Sequence, residues 1–242
     1  MSKKSQGKRK RKGLFDVWKR QYRLRIYGKI PAPLYKSFEK LEHAEEFCSG
    51  EIRFQTLENY QSIADKSRND VKEGCGEITV SGESLLVNLD NKTLTPVAGI
   101  ENVYVDTFKK SHYIYCLSLP RNGGYSAEIK KFGNYIVKLN CPSLLLRDIA
   151  IALQQDSKVN VNPPCLESTR VIYDKLSHYR EKPKKSKLNR LRWSQKPAKY
   201  KPEREYRIHF HACTVEPISE NGIYCIQLKN GVQHCEIIEV KP

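Results

Sequence analysis

The sequence lacks any long apolar run. Its 242 residues contain no stretch of about 20 consecutive apolar residues, the length that spans a bilayer. The N-terminal residues also lack the apolar core of a signal peptide. The basic stretch "KKSQGKRKRKG" has no apolar face and no acylation signal. We therefore predict a cytoplasmic protein with no membrane partner.

Motifs of the common cofactor and metal sites are also missing. No G-x-G-x-x-G, P-loop or G-x-S-x-G motif occurs, which disfavours Rossmann, kinase-like and hydrolase folds. The eight cysteines form no C-x-x-C pair and most lie beside apolar neighbours, so we expect buried, reduced thiols. His209 and His211 share one face of a predicted strand, but no other ligand accompanies them. We therefore predict no metal.

Acidic residues are scarce, with 27 Asp and Glu against 43 Lys and Arg, a net charge of +16. The excess lies mainly in residues 1–30 and 180–207. Such segments bind phosphates through counterion release, so nucleic acid is the leading partner. The alternative is a solubilising tail and a solvated loop. The predicted nucleic-acid contacts are Lys8, Arg9, Lys10, Arg11, Lys12, Lys184, Lys185, Lys187, Arg190, Arg192 and Trp193.

The hydrophobic pattern predicts an α+β fold with more strands than helices. Helices are expected in "EKLEHAEEFCSG", which Gly50 ends, and in "CPSLLLRDIAIALQQ". Residues 1–30 are expected to form a basic arm, disordered to about residue 13 and partly helical beyond. Residues 31–242 are predicted to form one domain with an extended basic insertion at about 179–201. The polar loop at 60–76 is long enough to be either functional or disordered.

Two glutamates stand one residue apart in "YKPEREYRIHF". In a strand, side chains two positions apart share a face, so Glu203 and Glu205 are predicted to line one cleft. The alternative is an exposed ladder of cross-strand ion pairs that includes Arg204 and Arg207.

Four segments occur in a familiar order: "LYKSF", "EIRFQTLENYQSIADKSRNDVKEG", "YIYCLSL" and "YKPEREYR". Over about residues 33–210 they resemble a widespread uncharacterised family of bacterial and phage proteins. Tyr200 stands where that family usually has tryptophan. The order and the E-x-E also resemble the ADP-ribosyltransferase superfamily. That resemblance implies a split, two-sheet β-core that clamps NAD.

The resemblance also implies a function. The chain would transfer ADP-ribose from NAD to a nucleic acid, with RNA favoured, as a toxin or phage-defence effector with a possible antitoxin partner. Glu205 would grip the ribose, Glu203 would prepare the acceptor, and Ser118 would orient Glu205. Arg68, in the polar loop at 60–76, is also predicted to be catalytic, with the loop folding over the NAD pyrophosphate as a cationic clamp. The predicted NAD contacts are Tyr35, Lys36, Arg53, Phe54, Tyr60, Asp70 and Tyr115.

Structural roles that involve no ligand are the alternatives to these assignments. Ser118 could end a core strand with a satisfied hydroxyl, and residues 60–76 could form a salt-bridged Ω-loop without a ligand. Lys36 stands where the superfamily has Arg or His. Two other functions also remain open. One is a non-catalytic nucleic-acid-binding protein that stacks bases on Trp18, Tyr22, Trp193 and Tyr200, and the other is a protein-directed ADP-ribosyltransferase.

Overall fold

A computed structural model describes residues 24–62, 112–159, 166–173, 192–196, 198–212 and 221–240. It also describes the backbone of four strands between residues 76 and 105. The strands are β1 Leu24–Ile26, β2 Leu34–Phe38, β3 Glu51–Thr56, β4 Gly76–Thr79, β5 Ser84–Asn88, β6 Thr93–Val97, β7 Asn102–Val105, β8 His112–Ser118, β9 Tyr135–Leu139, β10 Leu166–Arg170, β11 Ile172–Tyr173, β12 Gln195–Lys196, β13 Glu205–His211, β14 Ile223–Gln227 and β15 Cys235–Glu239. The α-helices are α1 Leu41–Ser49, α2 Leu57–Ser62 and α3 Pro142–Gln155, and 3-10 helices span Ala127–Phe132, Arg192–Ser194 and Ala198–Glu203. The predicted α+β class is confirmed.

Nine strands form one sheet with the order β1-β10-β13-β8-β2-β9-β15, to which β3 and β14 attach through β8. The strand β8 has two partners on one side. It pairs with β2 at Ser118 and with β3 at Ile114 and Tyr113. The sheet therefore divides beside the middle of β8, and its two parts share this strand.

Helices α1 and α3 supply the apolar layer on one face of the sheet. In α3, Leu145, Leu146, Ile149 and Leu153 repeat at helical spacing and are buried against strand residues such as Phe210. Burying each such side chain contributes roughly 1.5 to 3 kcal/mol. None of the described helices has the length and apolar character needed to cross a membrane.

The end of α1 is fixed by a close backbone approach. Gly50 has φ +109°, and a Cβ there would lie 2.8 Å from the Leu228 carbonyl oxygen. Glycine is therefore required where α1 turns into β3, as the sequence predicted. This turn carries the chain directly into β3, whose Arg53 and Gln55 line the candidate site described below.

Several predicted segments differ in detail. In the predicted partly helical arm, residues 24–26 form a strand that pairs in parallel with β10, while residues 1–23 lie outside the described residues. The predicted loop at 60–76 begins inside α2, and its residues 63–75 are likewise not described. In the predicted extended insertion, residues 192–201 contain 3-10 helices and β12 instead of one extended segment. Cys225 is exposed, and the other described cysteines are half-buried instead of buried.

Candidate active site

Three predicted site residues lie side by side on neighbouring strands. Glu205 on β13 is directly opposite Ser118 on β8, and Ser118 is directly opposite Tyr35 on β2. Residues opposite each other in antiparallel strands have Cβ atoms about 4.5 to 5.5 Å apart and point to the same face. The strand register therefore forms a continuous row of these three side chains.

This row lines a cavity of about 390 Å³ at the division of the sheet. Glu205, Ser118 and Tyr35 reach it from one face of the sheet, and Phe47 and Tyr115, which belong to the apolar core, reach it from the other. The cavity therefore passes between β2 and β3, where β8 changes partners. Its volume lies within the range of about 300 to 1,000 Å³ typical of small-molecule sites.

Glu203 reaches the cavity by a route that the sequence did not predict. It is the last residue of the 3-10 helix Ala198–Glu203, and β13 begins only at Glu205. Arg204 between them has φ +50°. The prediction that the two glutamates are alternate residues of one strand is therefore wrong. Both still line the cavity, because the left-handed residue turns the chain so that both carboxylates meet one lysine.

That lysine is Lys196, whose side chain is only 7% exposed. Its Nζ donates to Glu203 Oε2 and to Glu205 Oε1, each at 2.7 Å. Arg207 Nε donates to Glu205 Oε2 at 2.8 Å, and its Nη1 donates to the Trp193 carbonyl oxygen at 2.6 Å. Both oxygens of Glu205 therefore accept charged hydrogen bonds, which are roughly twice as strong as neutral ones. These ion pairs are enclosed, unlike the exposed ladder that was the alternative.

The two carboxyls have opposite pKa shifts. Burial raises the pKa of Glu205, but the Arg207 and Lys196 charges outweigh it and hold that pKa well below its ordinary value. Burial also raises the pKa of Glu203, and its neighbour Glu205 raises it further against the effect of Lys196. Glu205 is therefore the ionised member of the pair, and Glu203 is the member that holds a proton more readily.

Four further predicted residues line the cavity: Lys36, Arg53, Tyr60 and Tyr115. Lys36 Nζ lies 4.7 Å from the centre of the Tyr115 ring and donates to the Cys116 carbonyl oxygen at 3.1 Å. Lys36 thus bonds a backbone group of β8 at the division of the sheet. Within the described part of the chain, the buried Tyr115 hydroxyl has no hydrogen-bond partner.

Arg53 has its charge balanced by acidic neighbours. Its Nε donates to Glu51 and its Nη2 donates to Glu46, both at 2.7 Å. Phe54, the next residue, does not line the cavity, because it is fully buried in the core on the opposite face of β3. Because side chains alternate between the two faces of a strand, Arg53 faces the cavity and Phe54 faces the core.

Trp193 does not fit its predicted role in stacking on bases. The residue is 2% exposed, and its ring stacks on His209 with 4.4 Å between ring centroids. Tyr200, a further stacking candidate, is half-buried. The remaining predicted residues lie outside the described residues, and for Arg192 only the backbone is described. They are Arg68, Asp70, Lys8, Arg9, Lys10, Arg11, Lys12, Lys184, Lys185, Lys187 and Arg190, together with the stacking candidates Trp18 and Tyr22.

Sequence reasoning missed Lys196 and Tyr173. The strands β11 and β12 pair in parallel and place these two residues opposite each other. The Tyr173 hydroxyl oxygen accepts the backbone N–H of Glu205 at 2.7 Å. Lys196 lies inside the basic segment, where its charge resembles one phosphate contact among many. No short-range signal in the sequence pairs it with the glutamates.

A histidine cluster occupies the same face of β13 further along the strand. His112 Nδ1 lies 2.7 Å from His209 Nε2, and the His112 and His211 rings stack. Burial lowers the pKa of His209, although its neighbour Glu167 opposes the shift. In the ranges that the structure describes, no group of three or more His, Cys, Asp or Glu side chains is arranged to hold a metal ion.

Comparisons with known proteins assign no family to the chain. A scan against protein-family models finds no match, and searches of curated proteins and of solved structures find none either. The resemblance to ADP-ribosyltransferases therefore stays a prediction.

Proposed function

We propose that the chain is an ADP-ribosyltransferase that moves ADP-ribose from NAD to a nucleic acid, with RNA as the favoured acceptor. The observation that carries this proposal is the row Glu205, Ser118 and Tyr35 on one cavity. The sequence resemblance gives all three positions a part in NAD chemistry, independently of their register. The net charge of +16 supports a polyanionic acceptor.

The cavity suits the nicotinamide riboside half of NAD. Tyr35, Tyr60 and Tyr115 contribute aromatic side chains to its lining, which suits a planar nicotinamide ring. Glu205 accepts from Lys196 and from Arg207, and its carboxyl also shares a hydrogen bond with the carboxyl of Glu203. A carboxylate has about four acceptor positions, so Glu205 retains acceptor capacity for a ribose hydroxyl.

In the proposed reaction, the bond between C1′ of the ribose and the nicotinamide nitrogen breaks, and its electron pair leaves with nicotinamide. The ionised Glu205 stabilises the positive charge that develops on the ribose. The acceptor nucleophile then bonds to C1′ and releases a proton. In its ionised form Glu203 suits the receipt of that proton, because burial and the neighbouring Glu205 raise its pKa and so its affinity for a proton.

Incubation of the protein with NAD labelled in its ADP-ribose part, together with separate RNA, DNA and protein pools, tests the proposal. We expect nicotinamide release and label on the RNA. Glu205→Gln should lower both rates by roughly 10²- to 10³-fold, the usual cost of one electrostatic contact to a transition state.

The control for this variant is its folding. Because Glu205 balances two buried cations, its neutral replacement should also reduce the free energy of unfolding by up to about 3 to 5 kcal/mol, more than an exposed ion pair would contribute. Rates must therefore be compared at a temperature where circular dichroism shows both proteins folded. A folded Glu205→Gln protein that modifies RNA at the parental rate would exclude the proposed role.

A non-catalytic nucleic-acid-binding protein is the second candidate. The observation that favours it is the neutralisation of Glu205 by Lys196 and Arg207, which suits a structural ion pair. This candidate predicts that no NAD is consumed and that Glu205→Gln binds RNA as well as the parent does. Label found on protein instead of nucleic acid would identify a protein-directed transferase.

A further inference from the structure

A second concave surface lies next to Glu203 and carries only positive charge. It encloses about 460 Å³ and is lined by Arg121, Ala198, Lys199, Lys201, Pro202 and Arg204. All six residues are exposed, and no carboxylate is among them. We call this surface the cationic groove. All of its lining residues except Arg121 belong to the basic segment 180–207, but none of them is among the individual nucleic-acid contacts that the sequence predicted.

The groove is held by a well-connected backbone. Arg121 begins a tight turn in which Asn122 and Gly123 both have positive φ, and its N–H and carbonyl each bond to Gly124, at 2.8 and 3.0 Å. Arg204 Nη2 donates to the Pro120 carbonyl oxygen at 3.1 Å, and the Leu119 N–H donates to the Arg204 carbonyl at 2.7 Å. These bonds hold the Arg121 turn beside the 3-10 helix Ala198–Glu203, so the two elements that border the groove are connected by backbone hydrogen bonds.

The groove adjoins the candidate active site, since Pro202 and Arg204 of the groove flank Glu203 of the cavity in the chain. Tyr200 lies between two lysines, with Lys199 Nζ 4.8 Å from the ring centre and Lys196 Nζ 5.0 Å from it. Lys199 belongs to the groove, whereas Lys196 holds Glu203 and Glu205. A ligand that lies along the groove would therefore be close to Glu203, the proposed acceptor-side carboxyl.

We propose that the cationic groove binds the phosphodiester backbone of a single-stranded nucleic acid and brings one nucleotide to Glu203. The role as acceptor rests on the proposed function, whereas phosphate binding rests on the groove alone. Exposed Lys and Arg around a concavity without carboxylates suit successive phosphates. Single-stranded nucleic acid fits because a nucleotide must leave its stack to enter an enclosed cavity.

Binding of a fluorescein-labelled single-stranded RNA of about 20 nucleotides to the full chain tests this proposal. That length exceeds the roughly 4 to 16 nucleotides that a small single-strand-binding domain covers. The groove variant combines Arg121→Gln, Lys199→Gln and Lys201→Gln, and leaves Arg204 in place because it supports the turn. The control variant combines Lys40→Gln, Lys158→Gln and Lys229→Gln, which removes the same charge from exposed positions elsewhere.

We expect the groove variant to bind the RNA at least tenfold more weakly at low salt. The slope of log Kd against log salt should fall by about 2, because each of the three phosphates that are no longer neutralised contributes roughly 0.7 to the slope. The control variant should remain close to the parent. If circular dichroism shows the triple variant unfolded, the double variant Lys199→Gln and Lys201→Gln is measured instead, with about two thirds of the change in slope.

The outcomes separate this proposal from the proposed function. Equal binding by the groove and control variants, or no binding by the parent, overturns the groove. A groove variant that binds RNA normally but loses nicotinamide release without RNA also overturns it, because the groove would then hold the NAD pyrophosphate. Weaker RNA binding by the groove variant, in a protein whose parent never releases nicotinamide, supports the groove and rejects the transferase.

Discussion

The two glutamates at this site have pKa values that are shifted in opposite directions. Glu205 accepts from both Lys196 and Arg207, so two cations oppose the cost of its burial. Glu203 has only Lys196 as a cationic hydrogen-bond partner among the described residues and lies beside the Glu205 charge. The separation of their pKa values therefore follows from one additional arginine on one side. In the proposed reaction, this difference would divide the roles of ionised stabiliser and proton acceptor between them.

Glu203→Gln should change how stability depends on pH. The folded-state pKa of Glu203 is raised above its unfolded value of about 4.5, so the folded protein binds the extra proton. The resulting stability is fully present below the unfolded pKa and is lost as pH rises through the folded pKa. The variant resembles the protonated form at every pH, so its free energy of unfolding should decline less above about pH 5. Urea denaturation from about pH 5 to about pH 9 measures this difference.

Glu236→Gln is the matched control for that experiment. Glu236 pairs with Lys138 on the surface, and its side chain is 56% exposed. Its free energy of unfolding should follow the parental pH curve with a small constant offset, because an exposed pair contributes at most about 1 kcal/mol. Parallel curves for the parent and Glu203→Gln would show that Glu203 holds no extra proton in the folded protein.

At the scale of elements, one glycine joins a 3-10 helix to the sheet. Gly133 ends the helix Ala127–Phe132 with φ +143°, and a Cβ there would overlap the Phe38 carbonyl at the end of β2. Gly133→Ala must therefore displace backbone, and we expect it to lower the free energy of unfolding by more than about 3 kcal/mol. Gly124→Ala is the control, since its Cβ would meet no atom within 4 Å. Equal melting temperatures for the two variants would contradict this account of Gly133.

The sequence predicts most elements because their local patterns are strong. Helix α3 shows apolar residues at three- and four-residue spacing, and β13 alternates apolar with polar residues. Helix α3 is therefore placed within about one residue of its ends, and the start of β13 within one residue. The segment Leu24–Ile26 shows the limit of such patterns, because the sequence predicted it as part of a partly helical arm and it pairs with β10 as an edge strand instead.

The candidate site is predictable only in part. Glu205, Ser118 and Tyr35 are chemically suitable one by one, but their common row depends on the register of three strands that are far apart in sequence. Lys196 escapes prediction for a similar reason, because only the pairing of β11 with β12 places it at Glu205. Local patterns indicate which residues suit the chemistry, whereas long-range pairing decides which of them meet.

At the scale of the whole molecule, the distribution of charge predicts strong salt dependence of nucleic-acid binding. Deleting residues 1–13, which include Lys8, Arg9, Lys10, Arg11 and Lys12, should reduce the slope of log Kd against log salt by roughly 0.7 for each phosphate that these side chains neutralise. Titration of the same labelled RNA at several salt concentrations measures the slope.

The fold should survive this deletion, because the described core begins only at Leu24. An unchanged melting temperature is the control for an intact core. If the melting temperature and the slope are both parental, residues 1–13 do not bind nucleic acid, and the N-terminal charges serve solubility instead.

The central position of β8 also has a consequence for how the protein is made. Its partners β2, β3 and β13 come from residues 34–38, 51–56 and 205–211, so the middle of the sheet is built from contacts of high sequence separation. Such topologies fold slowly, because long loops must close before the pairings stabilise them. On the ribosome, the cavity cannot form until residue 207 has emerged from the exit tunnel. Until Glu205 and Arg207 have both emerged, the cavity lacks part of its ion-pair network, so any activity of this cavity begins only after that point in synthesis.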